Sequence, residues 1–170
     1  MGRSGGPGVK LLVLCLGNIC RSPMGEGALR ARLARSPLAG RVEVDSAGTG
    51  GWHAGEGPDP RAVRCARGHG VDISGLRARQ LQPEDFIHYD LILCADPANL
   101  RDARRIAPAN ARHKAVLWLS WAGVGERQDV PDPYTGGTAE FEAAWALVDR
   151  AAGGTVARLA HEAGLGIIDR

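Results

Sequence analysis

Apolar positions along the chain fall into short blocks separated by stretches of helical spacing. Lys10 leads into Leu11-Leu12-Val13-Leu14, a continuous apolar run that stops at Cys15-Leu16-Gly17-Asn18. Such a run, bounded by a turn signal, predicts a buried strand. Ser22-Pro23 then has the form of a helix start, a side-chain cap followed by a proline whose missing N–H costs nothing there. That helix is expected to run to about Arg35, with Gly25 and Gly27 loosening its first turns by about 1 kcal/mol each. Residues 41–46, RVEVDS, alternate as a strand does, and a glycine-rich loop, AGTGGWHAGEGP, follows. Asp59-Pro60 reads as the start of a helix through Arg67, ended by Gly68-His69-Gly70. DLILCA over 90–95 is a second continuous apolar run, and Asp96-Pro97 opens another helix. AVLWLS over 115–120 predicts a further strand, followed by a long loop over about 121–137. Thr138 then reads as the cap of a final helix, with Phe141, Trp145, Val148, Ala152 and Leu159 at helical spacing and Gly153-Gly154 weakening its middle.

Strand alternating with helix from end to end predicts an α/β domain, a parallel sheet with helices on both faces. At 170 residues the chain fits one domain, expected over residues 9–170 behind a flexible tail of residues 1–8. A net charge of +2 gives no ground for a nucleic-acid partner. The four cysteines, at 15, 20, 65 and 94, do not form a secreted disulfide framework and read as reduced thiols of a cytoplasmic protein. A leader reading of the N-terminus fails on three counts. The apolar run is too short, it breaks at Gly17-Asn18, and Leu14 stands where lipoprotein processing requires a small residue. Gly6 stands where a myristoylation pattern needs Ser or Thr, and no stretch reaches the length of a membrane span, so no membrane partner is expected. Secretion without a cleavable signal stays open.

In parallel α/β sheets, ligands bind where strands end and helices begin. The stretch CLGNICRSP, Cys15–Pro23, occupies such a point. Backbone N–H groups of Leu16, Gly17, Asn18, Ile19 and Cys20 can converge on an anion there, helped by the dipole of the following helix. Gly17 and Asn18 tolerate the left-handed backbone that such a nest needs, and Arg21 supplies a planar fork for two phosphate oxygens. Arginine and helix dipole together favour a thiolate at Cys15, which would then be a nucleophile facing phosphorus. Ser22 can hydrogen-bond that sulfur while also serving as a helix cap. Cys65 and Cys94 read as small core residues.

The chain resembles the low-molecular-weight protein tyrosine phosphatases from about Leu11 to Leu159. The resemblance rests on CLGNICRSP, SAGT and WH within 46–53, DPRA at 59–62, HG at 69–70, ARQL at 78–81, DLIL and DPANL within 90–100, and DPYTGG at 132–137. It implies a single domain built on a four-stranded parallel sheet of the doubly wound, flavodoxin-like kind. It also implies hydrolysis of phosphotyrosine in proteins, and of aryl phosphates, through a phosphocysteine intermediate. A thiolate nucleophile needs a proton donor for the leaving oxygen. Of three Asp-Pro pairs, Asp59 and Asp96 are explained as helix caps, whereas Asp132 lies in a loop between prolines, and the resemblance assigns the general acid to that position.

The resemblance further implies that Trp52 and Tyr134 wall an aromatic slot and that Asn18, Ser46 and His69 support the phosphate loop, while Ile19 adds apolar surface within it. Cys20 either packs under the loop or links reversibly to Cys15 under oxidation. No His, Cys and carboxylate set stands at zinc spacing in the sequence, so neither a metal nor a cofactor is expected. The expected partner is a tyrosine-phosphorylated protein, met by a monomer with at most weak self-association. Thr135 departs from the family by replacing a second tyrosine after the acid. Thioredoxin-coupled arsenate reductases share the cysteine loop but need two further closely spaced cysteines, and no cysteine follows Cys94. Protein-arginine phosphatases carry a small polar residue where Ile19 stands, and a pseudophosphatase would lack one of the three reactive groups.

Overall fold

The computed structural model describes residues 8–125 and 129–165. The tail expected over 1–8, Gly8 apart, the last residues of the expected domain, 166–170, and positions 126–128 of the expected loop lie outside the described residues. Strand β1 (Val9–Cys15) leads to α1 (Arg21–Ala34), β2 (Val42–Gly48), α2 (Pro60–Gly68), a single-turn α3 (Asp85–His88) and β3 (Leu91–Cys94). Helix α4 (Pro97–Ile106), a 3₁₀ turn over Ala109–Lys114, β4 (Ala115–Leu117), a single-turn α5 (Trp118–Trp121) and the long α6 (Thr138–Glu162) complete the elements of the described residues. The four strands form one parallel sheet in the order β2-β1-β3-β4, which is the expected fold class.

β1 is paired on both sides, and its side chains alternate between two cores. Leu11, Val13 and Cys15 pack with Met24, Leu29, Trp118, Phe141 and Val148 on the face covered by α1 and α6. Leu12 and Leu14 pack on the other face with Phe86, Tyr89, Ile92 and Ala103. A strand buried on both faces has no room for polar residues, which explains the unbroken run LLVL.

The last strand is shorter than its apolar run suggests. Pairing stops at Cys94 opposite Leu117, where β3 itself ends. Trp118 then turns wholly into the core and its indole Nε1 donates to Thr155 Oγ1 at 2.8 Å, so a helical turn replaces the second half of the expected strand. At the start of α6, Thr138 is the first helical residue and not the cap. Glu140 reaches back instead, accepting the Gly137 N–H at 2.7 Å.

The helix glycines are sites of close approach and not weak points. A Cβ on Gly25 would stand 2.7 Å from the Trp118 ring, and one on Gly27 2.5 Å from Ile73. α6 runs unbroken through Gly153-Gly154 because a Cβ on Gly154 would stand 2.2 Å from the carbonyl oxygen of Ala122. Here packing decides against the intrinsic helix propensity.

The connection from β1 steps toward β2, whereas the chain from β3 steps the opposite way to β4. The carboxyl ends of β1 and β3 therefore flank the switch point of the sheet, where a crevice must open. The segment after Cys15 and the Ala95-Asp96 pair after β3 both lie there.

The two neighbouring glycines of α6 should respond differently to an added methyl. Gly154→Ala is expected to lower the unfolding free energy by about 1–3 kcal/mol through overpacking, outweighing a propensity gain of about 1 kcal/mol. At Gly153 the nearest atoms to the methyl belong to the guanidinium of Arg32, the far end of a flexible side chain, and Gly153→Ala should stay within about 0.5 kcal/mol of the parent. Urea denaturation of both variants reads the difference, and equal effects would contradict the packing argument.

Candidate active site

Between β1 and α1 the backbone turns back on itself, and Asn18 is the single non-glycine residue with positive φ among the described residues, at 59°. Its amide is bonded on both sides. The Arg79 N–H, which can only donate, meets Asn18 Oδ1 at 3.0 Å, and this places Nδ2 toward Ser22 Oγ at 2.7 Å and Ser46 Oγ at 3.1 Å. Each serine oxygen thus accepts from Asn18 and keeps its own hydrogen to give onward. Ser46 gives its hydrogen to Glu26 Oε1 at 2.7 Å, and Ser22 Oγ lies 3.0 Å from Cys15 Sγ, placed to donate to that sulfur as a thiolate. Asn18 N–H donates to Sγ at 3.3 Å.

The loop carbonyls are held by neighbouring segments. Those of Cys15 and Leu16 accept from Thr49 and Gly50, that of Ile19 from Asp59, and that of Cys20 from Met24. In a trans peptide the carbonyl and the following N–H point in opposite directions. Holding these four carbonyls outward turns the N–H groups of Leu16, Gly17, Cys20 and Arg21 the other way, at the N-terminus of α1. Gly48 allows the approach of β2 to this loop, since a Cβ there would stand 2.7 Å from the Leu16 carbonyl oxygen.

Arg21 is the first residue of α1 and only 3% exposed. Its Nη1 donates to Asp96 Oδ2 at 2.6 Å and to the Val130 carbonyl at 2.9 Å, and Nη2 lies 3.6 Å from Asp132 Oδ2. Burial opposes its charge, but Cys15, Asp96 and Asp132 outweigh that and move its pKa upward. Asp96 also caps α4 by accepting the Asn99 N–H at 2.8 Å, so the cap legible in the sequence has a second use that the sequence does not show. Ser22 has no capping bond. Cys20 occupies the cap position of α1, and the Ser22 hydroxyl is turned to Cys15.

Asp132 reaches the rim from the loop preceding α6, with its Oδ1 accepting the Tyr134 N–H at 3.1 Å. Arg61 holds this loop in place: it donates to the carbonyls of Tyr134 and Gly136 at 2.9 and 3.0 Å, and its own charge is met by Asp59. Its guanidinium also lies over the Tyr134 and Phe141 rings, at 5.5 and 4.7 Å from their centroids. A cavity of about 190 Å³ opens between these elements, lined by Cys15, Leu16, Gly17, Ile19, Cys20, Arg21, Trp52, His53, Asp132 and Tyr134. Trp52 and Tyr134 are exposed at its mouth. Cys20 is buried, and burial together with the nearby Asp59 pushes its thiol pKa up; all four cysteines are free thiols.

The structure therefore brings Cys15, Leu16, Gly17, Ile19, Cys20, Arg21, Trp52, Asp132 and Tyr134 around one cavity, with Asn18, Ser22 and Ser46 bonded together behind the loop. His69 does not join them. Its Nε2 lies 2.8 Å from Glu142 and its ring stacks on Trp145, because His69 sits at the C-terminal end of α2, facing α6. The support expected of it falls to Glu26 and Arg79. Glu26 is a buried carboxylate whose pKa burial raises, against the hydrogen bonds from Ser46 and Arg30. Its legible signal was a carboxylate at a core-facing position of α1; Arg79 acts through its backbone N–H, for which no sequence signal exists.

The family model for low molecular weight phosphotyrosine protein phosphatase matches residues 10–164. The chain is 42% identical to the low molecular weight protein-tyrosine-phosphatase of Streptomyces coelicolor over 90% of this chain and 94% of that one. The crystal structure of YfkJ from Bacillus subtilis superposes with a TM-score of 0.86 at 34% identity, covering 92% of this chain and 98% of that chain. Vibrio vulnificus Wzb, solved with benzylphosphonate, superposes with a TM-score of 0.78 at 33% identity, covering 88% and 98%.

The double use of Asp96 is separable. Asp96→Ala removes both the helix cap and a counter-charge of the buried guanidinium, and should destabilise the chain by about 3 kcal/mol. Asp96→Asn keeps the cap and should recover about 1 kcal/mol of that loss. Chemical denaturation of the two variants measures this, and identical losses would show that the ion pair alone matters.

Proposed function

Because the chain belongs to the low molecular weight phosphotyrosine protein phosphatase family, we propose that it hydrolyses phosphotyrosine in proteins, and aryl phosphates generally, through a phosphocysteine intermediate. The observation that carries this reading is the convergence on one cavity of the Cys15 sulfur, the Arg21 guanidinium and the Asp132 carboxyl.

In the first step Cys15 Sγ attacks phosphorus as a thiolate. The S–P bond forms, the P–O bond to the aryl group breaks, and Asp132 gives its proton to the departing oxygen. In the second step the Asp132 carboxylate takes a proton from water, the oxygen of that water attacks phosphorus, and Cys15 leaves as a thiolate with inorganic phosphate as product. Ser22, whose Oγ lies 3.0 Å from Sγ, donates its hydrogen to the thiolate and stabilises it in both directions. Arg21 is anchored through Nη1 by Asp96 and Val130, which leaves its Nε and Nη2 edge for two equatorial oxygens. The loop amides at the α1 N-terminus take the remaining charge as it develops. Nothing in these steps calls for a metal or a cofactor.

Trp52, Tyr134 and Ile19 support an aromatic substrate, since they line the same cavity as Cys15 and give two exposed ring faces and an apolar wall to a phenyl group. The benzylphosphonate seen with the Vibrio relative is of that chemical class. A phosphoserine side chain would be too short to bring its phosphate to Sγ past these walls. The protein is read as acting as a monomer in the cytoplasm, with residues 9–170 as one catalytic domain. Among the described residues no helix is long and apolar enough to cross a membrane.

Hydrolysis of p-nitrophenyl phosphate in the presence of chelator tests the mechanism. Cys15→Ser should abolish turnover, and Asp132→Ala should lower kcat by about 10²–10⁴, with the larger loss on phenyl phosphate, whose leaving oxygen needs the proton more. Loss of wild-type activity to chelator, or turnover by Cys15→Ser, would overturn the reading.

A further inference from the structure

Away from the cavity, α2 and α6 bring together three groups that the phosphatase chemistry does not use. Cys65 and His69 stand one helical turn apart at the end of α2 and face Glu142 in the second turn of α6. Cys65 Sγ lies 3.4 Å from Glu142 Oε2 and His69 Nε2 lies 2.8 Å from Glu142 Oε1, and the three ligand atoms all lie within 4.8 Å of one another. Ligands held at about 2.0–2.3 Å from a tetrahedral zinc ion are spaced at roughly 3.5 Å, so the three atoms need only small rotations to face a common centre.

We propose that Cys65, His69 and Glu142 form a zinc site that ties the end of α2 to α6, with water in the fourth position. A thiolate, an imidazole and a carboxylate are the donor types zinc accepts, and together they exclude calcium and magnesium, which take oxygen ligands. The charges balance: one thiolate and one carboxylate neutralise the ion, and the thiol proton displaced from Cys65 goes to solvent. Arg61 and Arg64 line the adjoining cavity of about 140 Å³. Arg61 is already paired with Asp59 through two nitrogens, which reduces its opposition to a cation. The His69 ring is set by stacking on Trp145, with centroids 5.1 Å apart and planes 12° from parallel, and this keeps Nε2 toward Glu142. Sequence spacing hides the cluster, since Glu142 lies 73 residues beyond His69.

The site is independent of the phosphatase reading and is measured without substrate. Because the Cys15 loop also holds thiols, the reference is the full chain carrying Cys15→Ser. Titration with Co²⁺ should give one equivalent bound, with a near-ultraviolet thiolate-to-metal band and visible bands of tetrahedral strength, and Zn²⁺ should displace it. Cys65→Ser should abolish the thiolate band, and His69→Ala should weaken binding by more than about tenfold. Glu142→Gln, at a half-exposed position where folding is not at risk, should weaken it comparably. A thiolate band that needs Cys15, that survives Cys65→Ser, or that is unchanged in Glu142→Gln would overturn the proposal.

Discussion

The side-chain amide of Asn18 donates to two serine hydroxyls while its oxygen accepts the Arg79 N–H, and the loop after β1 takes its shape from that fixation. A non-glycine residue with positive φ is strained unless its surroundings hold it. Here three bonds to three separate segments do so. The same bonds set the direction of the hydrogens from Asn18 through Ser46 to Glu26, because a carboxylate can only accept and an amide N–H only donate, and they leave the Ser22 hydrogen available to a Cys15 thiolate. The orientation of the sulfur is thus tied to a buried acid on α1 without that acid touching it.

A buried guanidinium forms the second constraint. Arg21 is nearly excluded from water, and an unpaired charge there would be expensive. Asp96, the Val130 carbonyl and Asp132 share its neutralisation, and they arrive from the end of β3 and from the loop ahead of α6. The Cys15–Ser22 loop and the Asp132 loop are therefore positioned by the same cation. Arg61 repeats the device on the outer side, where Asp59 neutralises it and its free N–H groups fasten the Tyr134–Gly136 backbone.

Close approach of backbones underlies both constraints. Gly48 lets β2 lie against the Leu16 carbonyl, Gly25 lets α1 press on Trp118, and Gly154 lets α6 pass the Ala122 carbonyl. Intrinsic propensity would place none of these glycines in a strand or helix interior. Their cost is local, whereas the packing they permit joins α1, α5 and α6 over the sheet.

The alternation of the four strands with the main helices, the two-sided burial of β1 and β3, and the cysteine-to-arginine loop at a strand-to-helix junction were legible from the sequence, because each is written in residues close together along the chain. Asp132 was singled out by elimination among three Asp-Pro pairs. What the tertiary structure decided depends on contacts between distant segments. It gave Asp96 its second bond, assigned loop support to Glu26 and Arg79, and set His69 against Glu142 and Trp145. It also ended β4 at Leu117, where the neighbouring strand stops, and turned the apolar residues beyond into a helix. Local patterns determine which residues can be helix, strand or nucleophile; which polar atoms find one another across the fold depends on three-dimensional packing, and no one-dimensional spacing encodes it.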